Sequence, residues 1–146
     1  MREIKFRGKA KYNGQQIFSG DWIFGNLIKL RRYKKYPTGE CLVDSWDFAI
    51  QEERLENGTA YRWLTIEVDE ETISQFTGLL DKNGTEIYEG DNVSSYGDLY
   101  NVQWCNTYWG FVDYDSEEAI PIDEFVDKNG ACDCVVIGNI HSKASL

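Results

Sequence analysis

The stretch NGTEIYEGDNV, Asn83–Val93, has a near copy earlier in the chain, NGQQIFSGDWI, Asn13–Ile23. Asn, Gly, Ile, Gly and Asp coincide, and Phe18/Tyr88 and Ile23/Val93 are alike. Asn-Gly favours a tight hairpin, because both central residues of a type I′ turn take positive φ. Gln15–Phe18 or Thr85–Tyr88 then supplies a short return strand. Gly20-Asp21 or Gly90-Asp91 marks a second bend or bulge, where glycine reaches a conformation other residues avoid. A new strand opens at Trp22-Ile23 or Asn92-Val93. The phrase predicts a hairpin followed by a corner that leads into a barrel or sandwich strand. Two copies are too few for a stacked solenoid, so the repetition reads as one local solution to chain reversal used twice, rather than as a duplicated binding site.

The rest of the chain extends this pattern. Asn-Gly recurs at Asn57-Gly58 and Asn129-Gly130. EIKFR places Ile4 and Phe6 on one face, and YRWLTIEV (Tyr61–Val68) is β-branched and aromatic with no helical period. LYNVQW and WGFVDY are strands around a turn near Asn106, and CDCVVIGNI is a late buried strand. Helix signals are sparse. VDEETISQF offers Asp69 as an N-cap with acids behind it, then turns β-branched, so at most one short turn is expected there. SEEAI gives another single turn before Pro121. The expected fold is mainly β and hairpin-rich, built of one or more small barrels with little helix. The expected organisation is a single domain over residues 1–146, with an N-terminal β part over 1–66 and a C-terminal barrel part over 67–146.

The chain's 146 residues suffice for a proper core without staples. No apolar run approaches a membrane span, and MREIKFRGKAKYNG lacks the apolar core and cleavage site of a signal peptide. The expected location is the cytoplasm, where Cys41, Cys105, Cys132 and Cys134 are reduced thiols. The C-D-C pair with His141 falls short of the spaced pairs a structural zinc wants, so neither metal nor cofactor is expected.

Net charge is −10, unevenly placed. Met1–Ile66 carries 12 Lys+Arg against 8 Asp+Glu, whereas Glu67–Asp127 carries 16 acids and one base, Lys82. The acidic part would draw a basic partner, and the opposed halves are compatible with self-association. Asp113, Asp115, Glu117, Glu118, Asp123 and Glu124 crowd one segment. Carboxylates can run acid–base chemistry or hold a divalent cation only if they converge in a cleft, and crowding reads first as a solvated face. DKNGTE at Asp81–Glu86 fails the calcium-loop pattern because its glycine comes too early. His141 is the only histidine and sits in a tail, so no nucleophile–base pair is assigned. KLRRYKKYP, Lys29–Pro37, is the one basic patch. Lys29, Arg31, Arg32, Lys34 and Lys35 with Tyr33 are the candidate nucleic-acid contacts, opposed by the net charge. Trp104, Tyr108, Trp109 and Phe111 cluster about one turn, and strand alternation makes one of each neighbouring pair exposed. Tyr108, Trp109 and Phe111, with Asp113 and Asp115, are the candidate protein-binding residues.

REIKFRGKA, GDWIFGNLI, VDEETISQFTGLLDKNGTEIYEGDNV (Val68–Val93), VQWCNTYWGF and VIGNIHSKASL, in this order and spacing, resemble the YopX family of phage and prophage proteins. The resemblance covers nearly the whole chain and is most specific over Gln75–Asp91; residues 31–60 match no motif of it. Leu80, Asn92 and His141 depart from the family's usual residues. The resemblance implies a compact β protein with an SH3-like barrel in its C-terminal part, and it carries no catalytic or ligand-binding residues over. The function expected is that of a non-enzymatic accessory protein in the bacterial host cell that binds a host or phage protein. Nucleic-acid binding through residues 29–36 is the alternative, and a carboxylate-based enzyme or metal protein is the third reading. Residues 31–60 are expected to be basic and acidic loops that order on binding.

Overall fold

The computed structural model describes residues 3–14, 17–56 and 60–141. The chain is mainly β, with eleven strands and no α-helix among the described residues. It divides into two compact units, one built from Ile4–Ile73 and one from Ser74 onward.

In the N-terminal unit the strands are β1 (Phe6–Lys9), β2 (Trp22–Lys35), β3 (Cys41–Glu56) and β4 (Ala60–Val68), hydrogen-bonded in the order β4-β3-β2-β1. All three pairings are antiparallel. β2 serves two partners in succession. Its first residues pair with β1, ending at Phe6↔Gly25, and from Asn26↔Gln51 it pairs with β3. Gly25 sits at that switch, with φ +155°, in a place where a Cβ would meet the Gln51 carbonyl oxygen at 2.0 Å. The core gathers Ala10, Ile17, Ile23, Ile50 and Val68. β4 shows why this sequence is a strand: Leu64, Ile66 and Val68 alternate inward, while Trp63 stays 57% exposed. Residues 31–56 of the segment expected to be loops therefore lie in the long β2–β3 hairpin. The short turn expected near Asp69 is a 3-10 turn, Glu70–Thr72, with no side-chain cap from Asp69. The Thr72 hydroxyl instead accepts from Lys9 N–H at 2.8 Å and donates to Asp69 O at 2.7 Å, which ties the turn to β1.

The C-terminal unit holds β5 (Ser74–Leu80), β6 (Glu86–Tyr88), β7 (Asp91–Ser95), β8 (Asp98–Trp104), β9 (Trp109–Asp113), β10 (Ala119–Pro121) and β11 (Val135–Asn139). β5 pairs with β6, and the other five form a sheet in the order β10-β9-β8-β7-β11. This is a meander whose last strand returns beside its first. A 3-10 turn, Ile122–Phe125, follows β10; the single turn expected over SEEAI lies slightly earlier, at residues 114–116, closed by Glu117 N–H on Asp113 O, and Ala119–Pro121 is the short strand β10. The barrel expected here is not a closed cylinder, because β10 and β11 end the sheet unpaired with each other. β10 is three residues long and finishes on Pro121, which has no N–H to extend a ladder. The core contains Ile87, Val93, Val102, Phe111, Cys132 and Cys134, all fully buried, with Tyr100 stacked on Phe111. The late strand is shorter than expected, since Cys132-Asp133-Cys134 forms a turn with Cys134 N–H bonded to Cys132 O at 2.9 Å.

The repeated phrase makes the same corner twice. Asp21 Oδ2 accepts Phe18 N–H at 2.9 Å, and Asp91 Oδ2 accepts Tyr88 N–H at 2.8 Å. Gly20 and Gly90 precede them with φ of 93° and 84°. The aspartate of the first corner, Asp21, is exposed, whereas Asp91 of the second is buried at 1% exposure. The Asn-Gly half of the phrase behaves otherwise than expected. At Asn83-Gly84 and Asn129-Gly130 only the glycine has positive φ, 81° and 83°, so these are not type I′ turns. Each belongs to a D-K-N-G tetrapeptide whose aspartate cages the loop. Asp81 Oδ1 accepts from Asn83 and Thr85 N–H, both at 2.8 Å, and Asp127 Oδ1 accepts from Asn129 and Ala131 N–H at 2.8 and 3.1 Å. Asp81 adds a third bond, from Val136 N–H on β11 to its Oδ2 at 2.9 Å. At Asn13-Gly14 the glycine is bridged to Ile17 and lacks positive φ. Asn57-Gly58 lies outside the described residues. The two-residue hairpin with both φ positive is Tyr96-Gly97, between Ser95 and Asp98.

Candidate functional site

The β8–β9 hairpin builds the site. Cys105 N–H bonds Tyr108 O at 2.8 Å, and Asn106 takes φ 64° in the turn. This register sets Trp104 opposite Trp109, Val102 opposite Phe111 and Tyr100 opposite Asp113. Cross-strand partners share a face and alternate residues repeat it. One face therefore carries Tyr100, Val102 and Phe111 into the core and ends in the Trp104–Trp109 pair. The two indoles meet edge to face, centroids 5.0 Å apart. Trp109 is only 7% exposed, Trp104 is 49% exposed, and Tyr108, pointing to the other side of the strand, is 37% exposed.

Two clefts flank this pair. One, about 350 Å³, lies among Thr77, Gly78 and Leu79 of β5, the Thr107–Tyr108 turn, and Ile122 and Asp123 of the 3-10 turn. The other, about 400 Å³, lies between Gln75, Glu89 and the same two tryptophans. No lysine or arginine lines either. Burial pushes the Glu89 carboxyl above its ordinary value. Trp109 Nε1 is buried without a hydrogen-bond partner. Buried polar groups are nearly always paired, so this indole N–H is the exception in the site.

Phe111 is fully buried, so it is core and not a contact residue; it lies two residues inward of Trp109 on the same face. Trp109 is the floor of the clefts rather than a projecting group. Tyr108 does line a cleft. Asp113 and Asp115 do not: Asp113 Oδ1 accepts from Asp115 and Ser116 N–H at 2.7 and 3.1 Å and closes its own hairpin. The exposed wall residue Trp104 and the carboxylates Glu89 and Asp123 take their place. Trp104 was legible as the hairpin mate of Trp109; Glu89 and Gln75 come from other strands and left no local signal.

The basic patch separates by strand alternation. Lys29 and Arg31 lie over exposed Trp46, at 4.1 and 5.3 Å from its ring centroid. Arg32 points away and is held by Asp47 at 2.7 Å and by Glu67. Lys34 stands 5.6 Å from the Tyr36 ring, Lys35 is exposed toward the hairpin tip, and Tyr33 pairs through its backbone with Val43. The six residues therefore do not form one surface. Among the described residues no three His, Cys, Asp or Glu are grouped to hold a metal ion, and no helix is long and apolar enough to cross a membrane. The carboxylate of DKNGTE is occupied by backbone N–H groups.

Cys132 and Cys134 are 0% exposed with sulfurs 3.4 Å apart. The Cys134 thiol donates to the Cys132 sulfur, which holds the proton on Cys134 and eases ionisation of Cys132. An aromatic disulfide reagent added to the folded protein should react quickly with exposed Cys41 and not with this pair until denaturant is added. Titration of Cys132 and Cys134 at the rate of Cys41 would contradict their burial.

The C-terminal unit is thus an open antiparallel β-sheet protein fold with an aromatic-lined cleft region at the Trp104–Trp109 end. The chain belongs to the YopX family: the family model described as YopX protein matches residues 44–146. The match includes most of β3, part of the segment where no motif was recognised in sequence. No curated protein matches the chain.

Proposed function

We propose that this chain is a non-enzymatic accessory protein of a phage or prophage, acting in the bacterial cytoplasm by binding a host or phage protein. Its C-terminal unit is read as SH3-like, which the strand order β10-β9-β8-β7-β11 and the 3-10 turn after β10 support. The observation that carries the binding role is the buried, unpartnered Nε1 of Trp109, a residue that lines two clefts together with half-exposed Trp104. Aromatic-lined grooves on small β scaffolds recognise peptide segments through their rings and a few hydrogen bonds.

The test is capture from host lysate by wild-type protein and by Trp104→Ala, with and without nuclease. A defined protein held by the wild type through nuclease treatment and lost from the variant supports the reading. A protein retained equally by the variant puts binding elsewhere. Material that vanishes with nuclease favours the second reading, nucleic acid on Lys29, Arg31 and exposed Trp46, for which their shared face is the supporting observation.

A further inference from the structure

The occupant of the clefts has a chemistry that their walls specify. Both clefts share Trp104 and Trp109, so a chain segment that engages the tryptophan pair can reach either of them. Together they have room for a few residues of chain, and neither alone suits more than a side chain or two. The walls are aromatic and aliphatic in the middle, with a carboxylate in each cleft, Glu89 and Asp123, and no lysine or arginine. The surrounding sequence, Glu67–Asp127, holds 16 acids against one base. An anionic occupant is repelled by this field and a cationic one attracted. At the floor the Trp109 indole can only donate, so the group that satisfies it is an acceptor such as a peptide carbonyl. Nε1 is closed to solvent, so a ligand reaches it by displacing a wall side chain. Trp104, half-exposed and edge-on against Trp109, is the wall residue in direct contact with that indole.

We infer that the clefts take an extended peptide segment bearing arginine or lysine, with a backbone carbonyl accepting from Trp109 Nε1 and the cation reaching Glu89 or Asp123. This rests on the recognition role proposed above and adds the class of ligand to it.

The test is selection of a random octapeptide library on the immobilised full-length chain. The enriched peptides are then synthesised and titrated against wild type, Trp104→Ala, Glu89→Gln and Asp115→Asn. Asp115 is exposed and lines neither cleft, so its variant controls for plain charge adsorption. The expected result is enrichment of basic peptides that also carry an apolar residue. Binding should weaken about thirtyfold or more in Trp104→Ala, as for a buried interface anchor. It should weaken about fivefold in Glu89→Gln and hardly at all in Asp115→Asn. Neutral or acidic peptides that still depend on Trp104 would overturn the ligand class and leave the recognition role standing. Basic peptides weakened equally by Glu89→Gln and Asp115→Asn would show charge adsorption and overturn the ligand class as well. No enriched peptide, or binding indifferent to Trp104→Ala, would overturn both.

Discussion

Gly25→Ala should be the most damaging single methyl group in the N-terminal unit, costing about 4 kcal/mol or more, in the range reserved for severe defects. The added Cβ would stand 2.0 Å from the Gln51 carbonyl oxygen and 2.9 Å from its carbon. Both obstacles are backbone, so no side-chain rotation relieves the clash. Gln51 is itself fixed by pairing with Asn26 on one side and Thr65 on the other. The φ of +155° adds strain for any L side chain. Relief would require β2 and β3 to part at the point where β2 changes partner. Gly39→Ala is the control. Its φ is +89°, but nothing lies within 4 Å of the added methyl, so it should cost about 1 kcal/mol from conformation alone. Urea unfolding followed by circular dichroism compares the two, and a Gly25→Ala protein as stable as Gly39→Ala would refute the steric account.

Asp81→Ala should destabilise by about 3–4 kcal/mol, and Asp127→Ala by only about 1 kcal/mol, although both aspartates begin the same D-K-N-G tetrapeptide. Asp81 is 3% exposed and accepts three backbone N–H bonds, one of them from Val136 on β11. Its removal leaves donors without acceptors and removes the side-chain bond from the β5–β6 turn to β11, leaving Lys82 N–H on Cys134 O as the nearest remaining tie. Asp127 is exposed, accepts two bonds within its own loop, and water can replace it. Asp81→Asn should recover only part of the loss. An amide keeps one acceptor oxygen for the loop but turns its NH2 toward Val136 N–H, donor against donor. Unfolding midpoints of the three variants decide this, and equal losses at Asp81 and Asp127 would show that burial and the Val136 bond contribute nothing.

These two sites also show what the sequence disclosed. The Gly-Asp corner was legible because its geometry is local: a glycine in the left-handed region and an aspartate three residues from the N–H it accepts. The Asn83-Gly84 and Asn129-Gly130 turns were read as reversals of the wrong type, since the aspartate two residues before each asparagine cages the loop. The true two-residue turn, Tyr96-Gly97, carries no Asn-Gly signal at all. The long β2–β3 hairpin was hidden in residues 31–60 because its outer half lies beyond the core. With neither face buried, nothing enforces the apolar alternation that marks a strand. The aromatic half of the candidate site could be read from one hairpin, but alternation alone left open which of Tyr108 and Trp109 turns inward; the structure buries Trp109. Its carboxylates could not, because Glu89 and Asp123 reach the tryptophans from other elements.

The C-terminal sheet's margin at β10 has a bearing on how the protein behaves in a crowded cell. An exposed strand edge is a template on which other chains can polymerise. β10 offers three residues, one of them Pro121, before the chain turns away at Ile122. That margin gives a neighbouring strand too few donors and acceptors to start a fibril or a swapped dimer. The sheet can thus be made in quantity without seeding its own precipitation from this side.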